Sequence, residues 1–322
     1  MDFTVEQARE TTKEPAAPVA DFPIKYIWHS GPWKAIFDKQ IALIQLDIRR
    51  AKAEDKLVIY LSCPISSRGG GYSGTNVDVA KFIERSLLAR WGEAFWILNP
   101  AQYQLESKAG TGLMDLHAKD LGIDLQQLSQ ADQPTGGDYM RMWTTVLVSN
   151  DKQVGERVIP DSLRDTGQFF DAFYFIGPRD VQAFFLNEGT TLTAGIQAYF
   201  ARKYATDADF RVAFNNSGPD WRDLGPRGEG NEAAYEARDR WVLQRNGFLR
   251  FYGLKASANF SLGSHDEWLI YQRLNERRRA ATRSADQFMV DGDVSEQIAG
   301  FFDGGQINPA SSEIGVSRGY SV

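Results

Sequence analysis

The chain has 322 residues, 43% of them hydrophobic, and a formal net charge of −6 at pH 7. This length and composition suffice for one large hydrophobic core or two smaller ones. The negative balance, with no long basic block, argues against a general affinity for nucleic acid. One cysteine and three histidines exclude an internal disulfide and every multi-cysteine metal site, and no two histidines have zinc-ligand spacing.

No apolar run approaches the length needed to span a membrane, and the amino terminus lacks the sections of a secretory signal peptide. The sequence therefore predicts a cytoplasmic protein without a membrane partner. Residues 1–23 are polar and contain a Thr-Thr-Lys-Glu-Pro-Ala-Ala-Pro run, a composition typical of a flexible arm.

The first predicted elements form a strand–helix–strand unit. Apolar spacing predicts a helix over Trp33–Ile48, and an apolar, β-branched run predicts a strand over Leu57–Ser62. A helix over 76–91 follows, and a second strand over Phe95–Leu98 ends at Asn99-Pro100. This order predicts two parallel strands joined by a right-handed crossover.

The middle of the chain contains a third predicted strand within Phe169–Pro178. The other elements expected there are helices over 113–121, 138–147, from Val181 and over 192–204, an exposed insertion over 151–168, and a short strand over 211–214. Three strands interleaved with helices predict an open, mostly parallel α/β sheet with helices on both faces, as in flavodoxin-like and Rossmann-like folds.

The composition changes after residue 215, and residues 219–230 are rich in glycine, proline and charge, which is typical of a linker. Helices are expected over 232–244, 265–282 and 294–302, before a polar tail. The predicted organisation is an arm over 1–23, an α/β core over 24–215 and a mainly helical extension over 216–322.

The predicted strand Leu57–Ser62 runs directly into a loop of small, polar and glycine residues. Open α/β sheets bind ligands at the carboxyl ends of their strands. Bare glycine N–H groups and neighbouring hydroxyl and guanidinium groups suit a phosphate or a sugar. The residues concerned are Ser66, Ser67, Arg68, Gly69, Gly70 and Gly71. The alternative is an ordinary connection that uses glycine only for its turn.

Cys63 is interpreted as a small buried residue rather than a nucleophile, because no histidine is near it in sequence.

Two further segments occupy later loop positions of the same predicted sheet. Gly136–Trp143 opens a helix, and Asn187–Gly195 comes after the third strand. With the loop that begins at Ser62, these segments resemble the nucleoside 2-deoxyribosyltransferase family and its relatives that hydrolyse nucleoside monophosphates. The resemblance covers residues 56–214. It is carried by Ile59-Tyr60-Leu61-Ser62-Cys63-Pro64-Ile65, by Asp138, and by Asp171-Ala172-Phe173-Tyr174-Phe175.

The resemblance implies a phosphate held by the serine, arginine and glycine residues of the first loop, and an acidic function for Asp138. It fails at one position, because Thr193 stands where the family has its nucleophilic glutamate within Gly189–Gly195. A hydroxyl without a base partner is a poor substitute for a carboxylate. Glu188, just before the glycine, is the nearest replacement, so the predicted catalytic residues are Glu188 and Asp138. The predicted substrate-binding residues, besides those of the glycine-rich loop, are Tyr60, Ser62, Arg141, Thr190 and Thr193.

Cleavage of an N-glycosidic bond passes through an oxocarbenium-like state, which a nearby carboxylate stabilises. The resemblance thus implies cleavage or transfer at such a bond, on a nucleoside or nucleotide, and we expect no cofactor or metal. By resemblance the protein is expected to be a homodimer or other homo-oligomer. A catalytically degenerate nucleotide-binding protein and a scaffold whose carboxyl-terminal helices bind a partner remain open. Plainer interpretations of single residues also remain open: Asp138 as a helix N-cap, Trp143 and Met142 as core residues, and Glu188 as a solvated loop residue.

Overall fold

The structure is a computed structural model of the chain, and it describes residues 33–65, 70–105, 112–125, 134, 136–148, 166–214, 225–228, 230–258, 262–288 and 297–308. For 262–265 and 281–288 it describes the backbone alone. Some predictions fall outside these residues: the arm 1–23, Ser66, Ser67, Arg68 and Gly69 of the glycine-rich loop, and most of the insertion 151–168.

The described chain alternates helices with strands before residue 180 and is mainly helical after it. The elements are α1 (Trp33–Ala53), β1 (Leu57–Ser62), α2 (Ser73–Trp91), β2 (Phe95–Leu98), α3 (Leu113–Leu121), α4 (Gly136–Val148), β3 (Ala172–Phe175), α5 (Pro178–Leu186), α6 (Leu192–Thr206), α7 (Ala208–Ala213), α8 (Glu232–Lys255), α9 (Leu262–Phe288), β4 (Ala299–Phe302) and β5 (Gly305–Ile307). A short 3-10 helix, Pro100–Gln102, follows β2.

The five strands form one sheet in the order β2-β1-β3-β4-β5, with four parallel strands and an antiparallel β5 at the edge. Tyr60 pairs with Leu98 on one side and with Phe173 on the other. The predicted open, mostly parallel α/β sheet is confirmed. The chain leaves β1 for β2 in one direction and later returns to β3 in the other, so a topological switch point lies at the carboxyl end of β1.

Alternate side chains of β1 enter two separate cores, one on each face of the sheet. Val58 and Tyr60 belong to the core built with α1, α3, α4 and α9. Ile59 and Leu61 belong to the core built with α2, α5, α6, α7 and α8. A strand buried on both faces needs a nearly continuous apolar run, which is why Leu57–Leu61 shows no polar alternation. Each fully buried large apolar side chain contributes about 1.5–3 kcal/mol.

Helices α1, α4 and α9 of the first face run in one direction, with their carboxyl-terminal halves beside the segment that leads into β3. Lys52 of α1 lies 3.5 Å from the Asp171 carboxylate. Arg278 of α9 donates to Phe170 O (3.1 Å), and a Cβ on Gly167 would lie 2.8 Å from Leu147 O of α4. The amino ends of α1, α4 and α9 therefore lie at the carboxyl edge of the sheet. These helix ends carry positive partial charge.

Two sequence predictions were wrong. Residues 211–214, predicted as a strand, lie in and just after helix α7, whose N-cap Asp207 accepts a hydrogen bond from Phe210 N (3.0 Å). The helix predicted over 294–302 is contradicted by β4, which pairs with β3. Gly300 fits this position because a Cβ there would lie 2.3 Å from Tyr271 Oη. Residues 299–307 of the predicted helical extension thus belong to the sheet.

Helix α8 also extends to Lys255, well beyond the predicted end at Gln244, so that its last turns reach the sheet. Of the helices described, none combines the length and apolar character needed to cross a membrane.

Candidate functional site

The carboxyl end of β1 carries a buried carboxyl group that comes from a distant part of the chain. Tyr60 and Ser62 face α9, where Tyr60 Oη donates to Glu267 Oε1 (2.7 Å) and Ser62 Oγ donates to Glu267 Oε2 (2.5 Å). Glu267 is 6% exposed, and both hydroxyl-bearing residues are completely buried. Strand β1 therefore supplies a matched pair of donors to one carboxyl group at the switch point.

Burial raises the pKa of Glu267 to about 7, an effect that the hydrogen bonds from Ser62 and Tyr60 oppose and the nearby Asp266 charge reinforces. Desolvation is the largest cause because a carboxylate loses water that two hydroxyl groups replace only in part. No lysine or arginine of the described chain forms an ion pair with it. Near neutral pH this group is present both as acid and as base, the condition that general acid–base chemistry requires.

A second buried charge lies on the other face of the same strand end. Lys255, the last residue of α8, donates from Nζ to Asn76 Oδ1 (2.9 Å) and to Pro64 O (3.1 Å). Both acceptors are neutral, and burial lowers the pKa of Lys255 to about 7. Cys63 lies between Ser62 and Pro64 in the chain, and its thiol contacts Asn99 Oδ1 at 3.8 Å. Burial and the Glu267 charge raise the pKa of Cys63, so the thiol stays protonated and the interpretation as a buried small residue is confirmed.

Comparison with protein-family models, curated proteins and solved structures finds no match for this chain. The likeness to nucleoside 2-deoxyribosyltransferases thus stays a prediction from sequence motifs. The assignment of chemistry depends on the side chains themselves.

The described glycines of the loop after β1 are needed for packing against α8. Gly70 has φ +108°, and a Cβ there would lie 3.3 Å from Gly247 O. A Cβ on Gly71 would lie 2.4 Å from the ring of Phe251. Close approach to the α8 backbone at Gly70 and to the Phe251 ring at Gly71 thus accounts for these two glycines. The other residues predicted to hold a phosphate lie outside the described residues: Ser66, Ser67, Arg68 and Gly69.

Asp138 and Arg141 lie in the first turns of α4, at the carboxyl edge and on the same face as Glu267. Asp138 is buried and accepts from Arg141 Nη1 (2.8 Å). One turn further along α4, the Trp143 ring lies 5.9 Å from the Tyr60 ring. Trp143 and Met142 are both buried in the core of this face, as the plainer interpretation predicts. Tyr60 is packed among aromatic rings and reaches the site only through its hydroxyl group.

Glu188, Thr190 and Thr193 belong to a different neighbourhood. Helix α5, nine residues and about 13 Å long, separates the carboxyl end of β3 from Glu188. The Glu188 carboxylate accepts from both Nε and Nη2 of Arg202 on α6. Thr191, rather than Thr190 or Thr193, caps α6 by accepting from Ala194 N (3.2 Å). No described contact joins Glu188 to Tyr60, Ser62 or Asp138, whereas Glu267 contacts the first two directly.

Glu267 and Lys255 were missed by sequence reasoning, although helical periodicity carries a signal for each. Glu267 lies four residues before buried Tyr271, and Lys255 lies three residues after buried Tyr252. A charged residue in register with a buried stripe is unusual and indicates a special environment. Within the part of the chain that the structure describes, no group of three or more His, Cys, Asp or Glu residues could hold a metal ion.

Proposed function

We propose that the protein cleaves or transfers at the N-glycosidic bond of a nucleoside or nucleotide, with Glu267 as the acid–base group. The observation that carries the proposal is the buried Glu267 carboxyl, held by Tyr60 and Ser62 at the carboxyl end of β1. This is the place where parallel α/β sheets bind small ligands. Asp138, on the same face, is the second carboxylate of the proposed site.

The chemistry needs one group that gives a proton and one that stabilises positive charge. The bond between the anomeric carbon and the base nitrogen breaks with its electron pair leaving on the base, and Glu267 protonates that nitrogen. Water, or a second base, then bonds to the anomeric carbon and returns a proton to the Glu267 carboxylate. Asp138 stabilises the positive charge that develops on the sugar between these steps. A carboxyl group with a pKa of about 7 is suited to both halves of this cycle.

The proposal also accounts for the departure from the family motif. Thr193 lacks a carboxylate, and helix α5 separates Glu188 from the carboxyl end of β3. Glu267, contributed by α9 from outside the region of resemblance, takes over the missing acidic function. Glu188 as the catalytic residue stays a competing prediction, and the same assay distinguishes the two.

The test is release of free base. The purified protein is incubated with a panel of ribonucleosides, deoxyribonucleosides and their 5′-monophosphates, with and without a second free base, and the products are separated by chromatography. Loss of a general acid–base group costs roughly 10²–10⁴-fold in rate, so Glu267→Gln should lower release by at least 100-fold. Glu276→Gln is the matched control, since this part-exposed carboxylate of α9 is paired with Arg273. Glu188→Gln should also keep wild-type activity.

Two results would overturn the proposal: no base released by the wild-type protein from any member of the panel, or full activity in Glu267→Gln. Wild-type activity that disappears in Glu188→Gln and survives in Glu267→Gln would instead return the catalytic function to Glu188.

A second candidate is a nucleotide-binding protein without catalysis. The observation that favours it is the complete occupancy of Glu267, whose two oxygens both accept hydrogen bonds within a buried setting. Calorimetry on the same panel separates the candidates, because a binding protein gives heat of association without product after long incubation.

A further inference from the structure

The side chains of Tyr60, Ser62 and Glu267 form a closed set of hydrogen bonds, here called the carboxyl trio. Tyr60 Oη lies 2.7 Å from Glu267 Oε1, and Ser62 Oγ lies 2.5 Å from Glu267 Oε2. Among the residues that the structure describes, no other polar group forms a hydrogen bond with these three side chains. The protons of the trio can therefore be counted.

The base form of Glu267 matches its two neighbours. A carboxylate only accepts hydrogen bonds, and each hydroxyl group has one proton to donate. Burial, reinforced by the Glu267 charge, raises the pKa of Tyr60, so the phenol keeps its proton and donates it. Two protons thus occupy the two oxygen–oxygen contacts, and each of the three side chains has its partner within the trio.

The acid form of Glu267 brings one proton more than the trio has contacts. While both hydroxyl groups donate to the carboxyl oxygens, the proton on Glu267 has no acceptor within the trio. Glu267 is 6% exposed, whereas Tyr60 and Ser62 are 0% exposed. The carboxyl-bearing residue is thus the one member of the trio with a surface at which an outside acceptor can meet this proton.

We propose that Tyr60 and Ser62 are positioning residues: by donating to both oxygens of Glu267, they stabilise its base form and leave the proton of its acid form free for an acceptor outside the trio. The inference rests on the proposed function, in which that acceptor is the departing nitrogen of the base. It assigns no ligand contact to Tyr60 or Ser62, in contrast to the sequence prediction that both bind substrate. The complete burial of the two residues supports this assignment.

The other ionisable groups of the described chain that act on Glu267 are Asp266 and Cys63. Burial is the largest effect on the pKa of Glu267 and raises it, and the Asp266 charge raises it further. Burial also raises the pKa of Cys63, so the thiol stays protonated and adds no charge. The two hydroxyl groups oppose burial, because donors to a carboxylate favour its charged form. Removing either hydroxyl group should therefore raise the pKa of Glu267.

Infrared titration measures this effect without any substrate. Protonated carboxyl groups absorb apart from carboxylates, and the pH-dependent absorbance that disappears in Glu267→Gln belongs to Glu267. The variants are Ser62→Ala and Tyr60→Phe, each of which removes a single oxygen atom. Circular dichroism establishes that each variant is folded.

The matched controls are Ser86→Ala and Tyr103→Phe. They remove the same groups at positions away from the trio, where Ser86 Oγ donates to Phe82 O (2.8 Å) and Tyr103 Oη donates to Asp47 Oδ2 (3.0 Å). The second control, like Tyr60→Phe, takes one hydroxyl donor from a carboxylate on the first face of the sheet.

The midpoint of the Glu267 titration should rise by about one pH unit in Ser62→Ala and in Tyr60→Phe, in line with the loss of a hydrogen bond to a charged group, and keep its wild-type value in both controls. An unchanged midpoint in either folded variant would overturn the proposal. If one variant does not fold, the other decides. If neither folds, the hydroxyl groups serve the fold itself and the proposal is overturned as well.

The pH dependence of base release separates positioning from substrate binding. The value of kcat/KM depends on the acid form of the free enzyme, so it should fall as the pH rises through the pKa of Glu267. In Ser62→Ala and Tyr60→Phe this fall should move up by about one pH unit, while KM at pH 6 stays within about threefold of the wild-type value.

A KM raised about tenfold, with the fall at its wild-type pH, would overturn the proposal and return both residues to substrate binding. The two proposals fail separately. Absence of base release by the wild-type protein removes the proposed function, and an unchanged infrared midpoint removes the positioning function.

Discussion

Replacing Glu267 with glutamine tests whether its carboxyl group is held in the folded protein in the protonated form. The folded protein keeps the Glu267 proton up to about pH 7, whereas the unfolded chain releases it near the ordinary pKa of 4.5. The folded state therefore binds more protons between these values, and its stability falls as the pH rises through them. Glutamine has the size of the protonated acid and does not titrate, so the variant lacks this loss.

The magnitude follows from the two pKa values. Between pH 5 and pH 8 the wild-type protein should lose ~2.5 kcal/mol of unfolding free energy through Glu267 alone. Other groups titrate in this interval, so the quantity to compare is the difference between Glu267→Gln and wild type at each pH. The free energy of unfolding of Glu267→Gln, minus that of the wild-type protein, should be higher at pH 8 than at pH 5 by about 2 kcal/mol or more.

Urea denaturation followed by tryptophan fluorescence measures this difference, since Trp268 packs against Phe175 beside the site (ring centroids 5.4 Å apart). Glu276→Gln, at a part-exposed position of the same helix, should follow the wild-type protein at both pH values. A stability difference between Glu267→Gln and wild type that is the same at pH 5 and pH 8 would refute the reasoning, because it would mean that the carboxyl group is not perturbed by burial.

Three further predictions concern the surroundings of the site. Gly300→Ala should lower stability by about 1–3 kcal/mol in thermal unfolding, because its Cβ would overlap the Tyr271 hydroxyl, whereas Gly253→Ala, with open space around it, should not. Arg278→Met should cost about 3 kcal/mol and speed amide exchange in the turn before β3, whose buried carbonyls would lose their donor. Burial raises the pKa of Asp180 to about 6, so Asp180→Asn should gain stability relative to wild type as the pH rises from 4 to 7 in urea titrations.

The local signals in the sequence predicted the first half of the sheet well. Strands Leu57–Ser62 and Phe95–Leu98 have the predicted bounds, because each is a continuous apolar run with a clear stop signal. Residues 211–214 were misassigned because their alternating pattern concealed Asp207, the N-cap that starts a helix. Such a capping signal is local and was available in the sequence.

The candidate site was less predictable because its contacts are long-range. Glu267 meets Tyr60 and Ser62 across about two hundred residues of chain, and only the three-dimensional fold brings them together. Motif reasoning instead selected Glu188, which is close in sequence to the expected position. Strand β4 was missed for a related reason: Ala299–Phe302 is extended because β3 offers it an edge, and no pattern within four residues encodes a distant partner.

The position of β4 has a consequence for how the protein is made. Because β3 pairs with β1 on one side and with β4 on the other, its second edge stays open until residues 299–302 have left the ribosome. An unpaired strand edge is a site of association between chains. Premature termination anywhere before residue 299 should thus yield fragments with an open β3 edge that aggregate.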